Sequence, residues 1–194
     1  NRCGIKVNSK GSLKAKASNF DLEVLYLRDD DIPKYVAEGI ADLGIVGENV
    51  LQETELDLKT ILPLGFGKCR LSLALPRELN YSGLNDFQGK RIATSYPKIL
   101  KAFLDAKGIA VEIEEISGSV EIAPSIGLAD GICDLVSSGS TLLKNGLKEV
   151  EVLMQSQSVL IGQKETQADK QVLIDDLLFR IQSVLRATQF KYIL

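Results

Sequence analysis

The residues most able to do chemistry stand in Asp130-Gly131-Ile132-Cys133-Asp134-Leu135-Val136-Ser137-Ser138-Gly139-Ser140-Thr141-Leu142. This is an apolar strand carrying acids, then a turn of small hydroxyl residues around a glycine, then the start of a helix. Backbone N–H groups at such a turn, with a helix start behind them, form a cradle for an anion. Gly139 lets the backbone come close to a ligand, and Ser137, Ser138, Ser140 and Thr141 add hydroxyl donors. Carboxylates at Asp130 and Asp134 suit the hydroxyls of a ribose, which need acceptors. A 5-phosphoribosyl group asks for this combination. A plain strand-to-helix turn capped by Ser or Thr has the same composition, so the pattern alone leaves both readings open.

Three other loops point the same way more weakly. In Gly44-Ile45-Val46-Gly47-Glu48-Asn49 the glycines admit a nucleotide or simply make a turn, and the commonness of glycine turns favours the second. Thr94-Ser95-Tyr96-Pro97 offers a helix cap beside an aromatic ring on which a base could stack, although most such tyrosines only pack. Gly118-Ser119-Val120-Glu121 either places a carboxylate at a site or forms a capping box. The run Arg28-Asp29-Asp30-Asp31 reads as a helix start with a solvated face before it reads as a metal site. Lys68, Arg70, Lys90 and Arg91 are candidate counter-charges for phosphates.

The elements that must position these residues alternate. Strands are expected at Val24–Leu27, Asp42–Gly47, Ile61–Leu64, Arg70–Leu75, Lys90–Ala93, Val111–Ile116, Ile132–Val136 and Glu151–Ile161. Helices are expected at Pro33–Gly39, from Glu48, over Lys98–Lys107, from Gly118 and over Asp169–Thr188. The last carries the apolar stripe Val172, Leu173, Ile174, Leu177, Leu178, Ile181, Val184 and Leu185. Strand–helix alternation predicts an α/β fold with largely parallel sheets. Two lobes, 1–75 with 160–194 and 76–159, joined by the crossing strands Arg70–Leu75 and Glu151–Ile161, would hold substrates in a cleft beyond the strands' carboxyl ends.

Composition narrows the chemistry. The 194 residues include no histidine, which removes histidine triads, histidine metal sites and imidazole bases. A net charge of −3 gives no field that would draw nucleic acid or an anionic membrane. No apolar run approaches the roughly 18–20 residues of a membrane span. Cys3, Cys69 and Cys133 are far apart and odd in number, which fits a reducing, cytoplasmic setting. The chain opens at Asn1 without a methionine, and Lys191-Tyr192-Ile193-Leu194 reads as the opening of a strand. Both ends read as cut.

Taken together the segments resemble the ATP phosphoribosyltransferase family. The resemblance is carried by Arg28–Pro33, Ala41–Leu51, Gly67-Lys68-Cys69-Arg70-Leu71-Ser72-Leu73-Ala74 and Lys90-Arg91-Ile92-Ala93-Thr94-Ser95-Tyr96-Pro97. Gly118–Glu121 and Gly127–Leu147 carry it further. The Asp29-Asp30-Asp31 triplet and the Ser137–Thr141 turn are similar to the long, histidine-regulated form. The resemblance implies a two-lobed fold like type II periplasmic binding proteins, a homo-oligomer, and transfer of the ribosyl group of phosphoribosyl pyrophosphate to N1 of ATP with Mg2+. By the family's pattern Asp130 to Leu142 hold the ribose 5-phosphate, with Asp134 or Asp130 on its hydroxyls. Gly47, Glu48, Asn49, Arg70 and Glu121 would then face the cleft, and Tyr96 the adenine. No protein nucleophile or base is expected, because adenine N1 is itself the nucleophile. The family's opening strand with its Lys-x-Gly-Arg-Leu-like loop and the long form's regulatory domain are not within these 194 residues.

Overall fold

The computed structural model describes residues 2–165 and 168–189. In chain order the elements are β1 (Lys14–Lys16), β2 (Glu23–Leu25), α1 (Ile32–Ala37), β3 (Leu43–Gly47), α2 (Glu48–Thr54), β4 (Leu58–Pro63) and β5 (Cys69–Pro76). A 3-10 turn at Leu84–Phe87 leads to β6 (Arg91–Thr94), α3 (Pro97–Asp105) and β7 (Glu112–Glu115). A second, at Val120–Ile122, precedes β8 (Gly131–Val136), α4 (Ser140–Lys144), β9 (Leu147–Ser156), β10 (Ser158–Gln163) and α5 (Ala168–Gln189). The strand expected at Lys191–Leu194 lies outside the described residues.

The chain divides into two units. The first comprises 1–46, 56–65 and 159–194, the second 47–55 and 66–158. Unit 2 thus takes in Gly47–Glu55 and β5, which the sequence reading placed with the first lobe. The passages nearest the two expected crossing strands are Gly65 to Phe66, just before β5, and Ser158 to Val159, just after β9. Unit 1 holds the β1–β2 pair and the three-stranded sheet β3-β10-β4, with β10 antiparallel to β4. Its α5 buries a narrower stripe than expected. Ile174 is buried, and Leu177, Leu178, Ile181, Val184 and Leu185 are half-buried, whereas Val172 and Leu173 are exposed. At 3.6 residues per turn, a residue two before Ile174 points to the opposite side of the helix.

Unit 2 is built on the five-stranded sheet β7-β6-β8-β5-β9. The sheet is mixed, not largely parallel. β6 runs parallel to β7 and to β8, while β5 runs antiparallel to both β8 and β9. The reason lies in the connections. Helix α3 carries the chain from β6 back to a parallel β7, as a crossover must, whereas β5 reaches β6 without an α-helix. The inserted β5 alternates Leu71, Leu73 and Leu75 toward one buried cluster, with Phe87, Ile92, Leu100 and Leu104, and Ala74 toward the other, with Val120, Ile132, Val136 and Leu142. A strand covered on both faces must be apolar nearly throughout. The expected single strand Glu151–Ile161 is two strands, broken at Gln157, whose carbonyl accepts the Glu48 N–H at 3.0 Å.

Candidate functional site

The parallel strands of unit 2 bring most of the suspected residues to one end of its sheet. Tyr96 follows the carboxyl end of β6, Glu121 lies beyond that of β7, and Ser137–Thr141 follow that of β8. Arg70 reaches the same end from the start of antiparallel β5, where it sits opposite Val136. Side chains and N–H groups beyond the carboxyl ends of such strands are where α/β sheets bind ligands.

Asp130 is not among them. It stands at the amino end of β8, where its carboxylate accepts the Arg91 N–H at 2.8 Å and ties β8 to β6. Seven residues of extended chain at about 3.3 Å each place it roughly 20 Å from Ser137, beyond the span of one ribose phosphate. Of the two acids expected as alternatives for the ribose hydroxyls, Asp134 or Asp130, Asp130 thus stands at the end of β8 away from Ser137–Thr141. Its role is to close the sheet's far end.

The turn has the geometry of a cradle. Gly139 adopts φ +78°, the left-handed region that side chains resist, and a Cβ built there would meet only Val136 Cγ1 at 3.9 Å. The space over the turn is open. Ser137, Ser138, Ser140 and Thr141 are all exposed. The Ser138 hydroxyl donates to Ser140 Oγ at 3.0 Å and accepts the Ser140 N–H at 3.4 Å, which sets the loop's curvature. The helix that follows has only 5 residues, so its dipole adds little and the local N–H and O–H donors must do the holding.

Beside the turn lies a polar cluster on an otherwise apolar sheet face. Asp134 shares its face of β8 with Ile132 and Val136 and pairs across with Ser72. Burial pushes its carboxyl above the ordinary carboxylate range, the Leu135 N–H at 2.7 Å works against this, and the charge of Glu121 adds to it. Asp134 and Glu121 are both half-buried, and each negative charge disfavours the other. Ser72, 1% exposed, donates to Glu149 Oε1 at 2.7 Å, and Glu149 grips Arg70. Hydrogen bonds from Arg70 and Ser72 hold the Glu149 carboxyl below its usual range. Sequence reasoning missed Ser72 and Glu149. Nothing in Lys148-Glu149-Val150-Glu151 distinguishes the inward acid from a solvated one until β5 and β9 pair.

The remaining candidates divide. A Cβ on Gly47 would lie 2.3 Å from Asn49 Oδ1, because the Asn49 side chain folds back over it. Asn49 is 3% exposed; its Oδ1 accepts the Ser156 hydroxyl at 2.7 Å, and its backbone N–H donates to Ser156 Oγ at 3.2 Å. With the Glu48 N–H on Gln157, this loop latches α2 to the end of β9. Glycine here serves a turn. Tyr96 packs partly against the core cluster of Leu71 and Leu100, and its N–H donates to Thr94 Oγ1 at 2.9 Å. The start of α3 is filled by Glu53, whose oxygens accept the Lys98 and Ile99 N–H groups at 2.9 and 3.0 Å. Burial pushes the Cys133 thiol up, so it packs and does not react. Among the described residues no group of three or more acids or cysteines could hold a metal by itself, and no helix is long and apolar enough to cross a membrane.

The chain is similar to known proteins in sequence and in fold. A sequence model of the family ATP phosphoribosyltransferase (HisG) matches residues 28–183. ATP phosphoribosyltransferase of Cytophaga hutchinsonii is 55% identical over 193 residues, covering 99% of this chain and 68% of that protein. The chain spans about two thirds of the length of the curated relatives it matches. Among solved structures, the ATP phosphoribosyl transferase (HisG:HisZ) complex from Thermotoga maritima aligns with TM-score 0.82 at 27% identity, over 96% of this chain and 90% of that one. The substrate-binding protein of an amino acid ABC transporter aligns with TM-score 0.60 at 16% identity, over 87% of this chain and 75% of that one, a likeness of fold alone. The fold is thus the α/β fold of type II periplasmic binding proteins, and by sequence the chain belongs to the ATP phosphoribosyltransferase family.

Proposed function

We propose that the protein transfers the 5-phosphoribosyl group of phosphoribosyl pyrophosphate to N1 of ATP, the first step of histidine biosynthesis. Adenine N1 supplies the electron pair for the new bond to ribose C1. The C1–O bond to pyrophosphate breaks, and its electrons leave with the pyrophosphate oxygen. The observation that carries this reading is the open hydroxyl turn Ser137–Thr141 with a half-buried carboxylate three residues before it, in a chain of this family.

In this reading the 5-phosphate rests on the N–H groups and hydroxyls of Ser137, Ser138, Gly139, Ser140 and Thr141. Asp134 accepts the ribose hydroxyls, and its negative charge stabilises cationic character at C1. Mg2+, when bound, would supply charge neutralisation for the pyrophosphate. Glu121, beyond the carboxyl end of β7, is the carboxylate that would help hold it, since Mg2+ is commonly held by one or two carboxylates plus substrate phosphates. Tyr96 lies beside the adenine. Positioning and electrostatics suffice, so the chain supplies no nucleophile. The protein acts as a homo-oligomer in the cytoplasm under allosteric control, with no nucleic acid or membrane partner; its three free cysteines suit a reducing compartment.

The test is product formation by the whole protein. With Mg2+, ATP and phosphoribosyl pyrophosphate, pyrophosphate and phosphoribosyl-ATP should appear together, and omission of either substrate should stop both. Binding of phosphoribosyl pyrophosphate without turnover would instead make this a non-catalytic binding module, the role its fold serves elsewhere.

A further inference from the structure

Arg70 is a basic residue beside the proposed phosphate site, yet its charge is already committed. Its Nε and Nη2 each stand 2.5 Å from one oxygen of Glu149. The third contact, Nη1, donates to the backbone carbonyl of Ser137 at 3.2 Å. A guanidinium is a rigid plane, so the two-point grip on Glu149 decides where Nη1 points. Glu149 is itself held by the Ser72 hydroxyl at 2.7 Å, and Ser72 is buried inside β5. A chain of restraints therefore runs from the sheet interior to the first residue of the turn.

What that restrains follows from peptide geometry. In a trans peptide the C=O of one residue and the N–H of the next lie in one plane and point in opposite directions. Holding the Ser137 carbonyl toward Arg70 turns the Ser138 N–H away from it. We propose that Arg70 is a positioning residue for phosphoribosyl pyrophosphate, which fixes the Ser137–Ser138 peptide so that the turn's donors face the phosphate, and does not contact the ligand itself. This revises the sequence expectation that Arg70 meets the substrate, and it rests on the reading of Ser137–Thr141 as the phosphate cradle.

The experiment is calorimetric titration of phosphoribosyl pyrophosphate and, separately, ATP into the whole protein and four variants, each with a thermal melt. Arg70→Met should weaken phosphoribosyl pyrophosphate binding about tenfold to a hundredfold while ATP binding stays within about twofold. Arg70→Lys should not rescue it, because a single ammonium cannot grip Glu149 at two points and reach the Ser137 carbonyl. Removing Arg70 strands the Glu149 charge, so the double variant Arg70→Met with Glu149→Met is the control for folding. It should recover the melting temperature but not the affinity. Recovery of both would reduce Arg70 to an ion-pair partner and overturn the proposal, as would parental affinity in Arg70→Lys or equal losses for both ligands. The fourth variant, Gly139→Val, separates the two layers. If it binds phosphoribosyl pyrophosphate as the parent does, the cradle itself is misplaced. If it loses binding while Arg70→Met keeps it, the cradle stands and the positioning role falls.

Discussion

The substitution Gly139→Val has two costs that the structure separates. The first is backbone strain. Gly139 sits at φ +78°, and a side chain there costs about 1–2 kcal/mol, somewhat more when β-branched. No clash is added, since the nearest atom to a new Cβ is Val136 Cγ1 at 3.9 Å. For a protein of this size such a loss lowers the melting temperature by about 2–8 °C. The second cost falls on the ligand. The valine methyl groups would occupy the open space over the turn, where phosphate oxygens meet N–H groups. Losing two hydrogen bonds to a charged group, at about 1.5–3 kcal/mol each, weakens binding a hundredfold or more. Gly139→Asn tests which cost matters, because asparagine tolerates positive φ but still fills the space. It should melt near the parent and still lose phosphoribosyl pyrophosphate, with ATP binding kept. Calorimetry with both ligands, paired with melts, reads the outcome. If Gly139→Asn binds phosphoribosyl pyrophosphate as tightly as the parent, nothing docks over this turn and the assignment is wrong.

Two other substitutions are expected to behave in opposite senses. Asp134→Asn keeps the acceptor for the Leu135 N–H but removes a charge that burial and Glu121 disfavour. An acid whose folded pKa is raised destabilises the fold when ionised, and that penalty fades as pH falls through the raised value toward the unfolded one. The variant should therefore melt at or above the parent at neutral pH, with the gap closing as pH falls, while transfer drops about tenfold or more. A variant that melts below the parent throughout would refute the cause given for the shift. Asn49→Ala should cost about 1–3 kcal/mol, because the buried Ser156 hydroxyl loses its acceptor. An unchanged melting temperature would show that the α2 latch is not structural.

Local pattern was enough to place the strand–turn–helix at Ile132–Leu142, because the apolar run, the hydroxyl residues and Gly139 are consecutive and act on one stretch of backbone. Family motifs, spread over most of the chain, were legible for the same reason: each is a short segment. What sequence could not supply was anything that depends on which strands meet. Whether β5 ran with or against its neighbours followed from its insertion between β8 and β9, not from its own residues. That insertion brought Arg70 to Glu149 and Ser137, residues 79 and 67 positions away, so that its guanidinium is bonded within the protein. Strand direction likewise set Asp130 just before β8, at the end away from Ser137–Thr141. In Gly47-Glu48-Asn49 sequence allowed a nucleotide loop but favoured a turn. The approach of Ser156 from β9 gives the buried Asn49 side chain its partner, which no local pattern announces. Residue types limited what chemistry was possible here. Long-range pairing chose which of the candidate side chains stand at the site, because hydrogen bonds and burial depend on neighbours that only the folded sheet brings together.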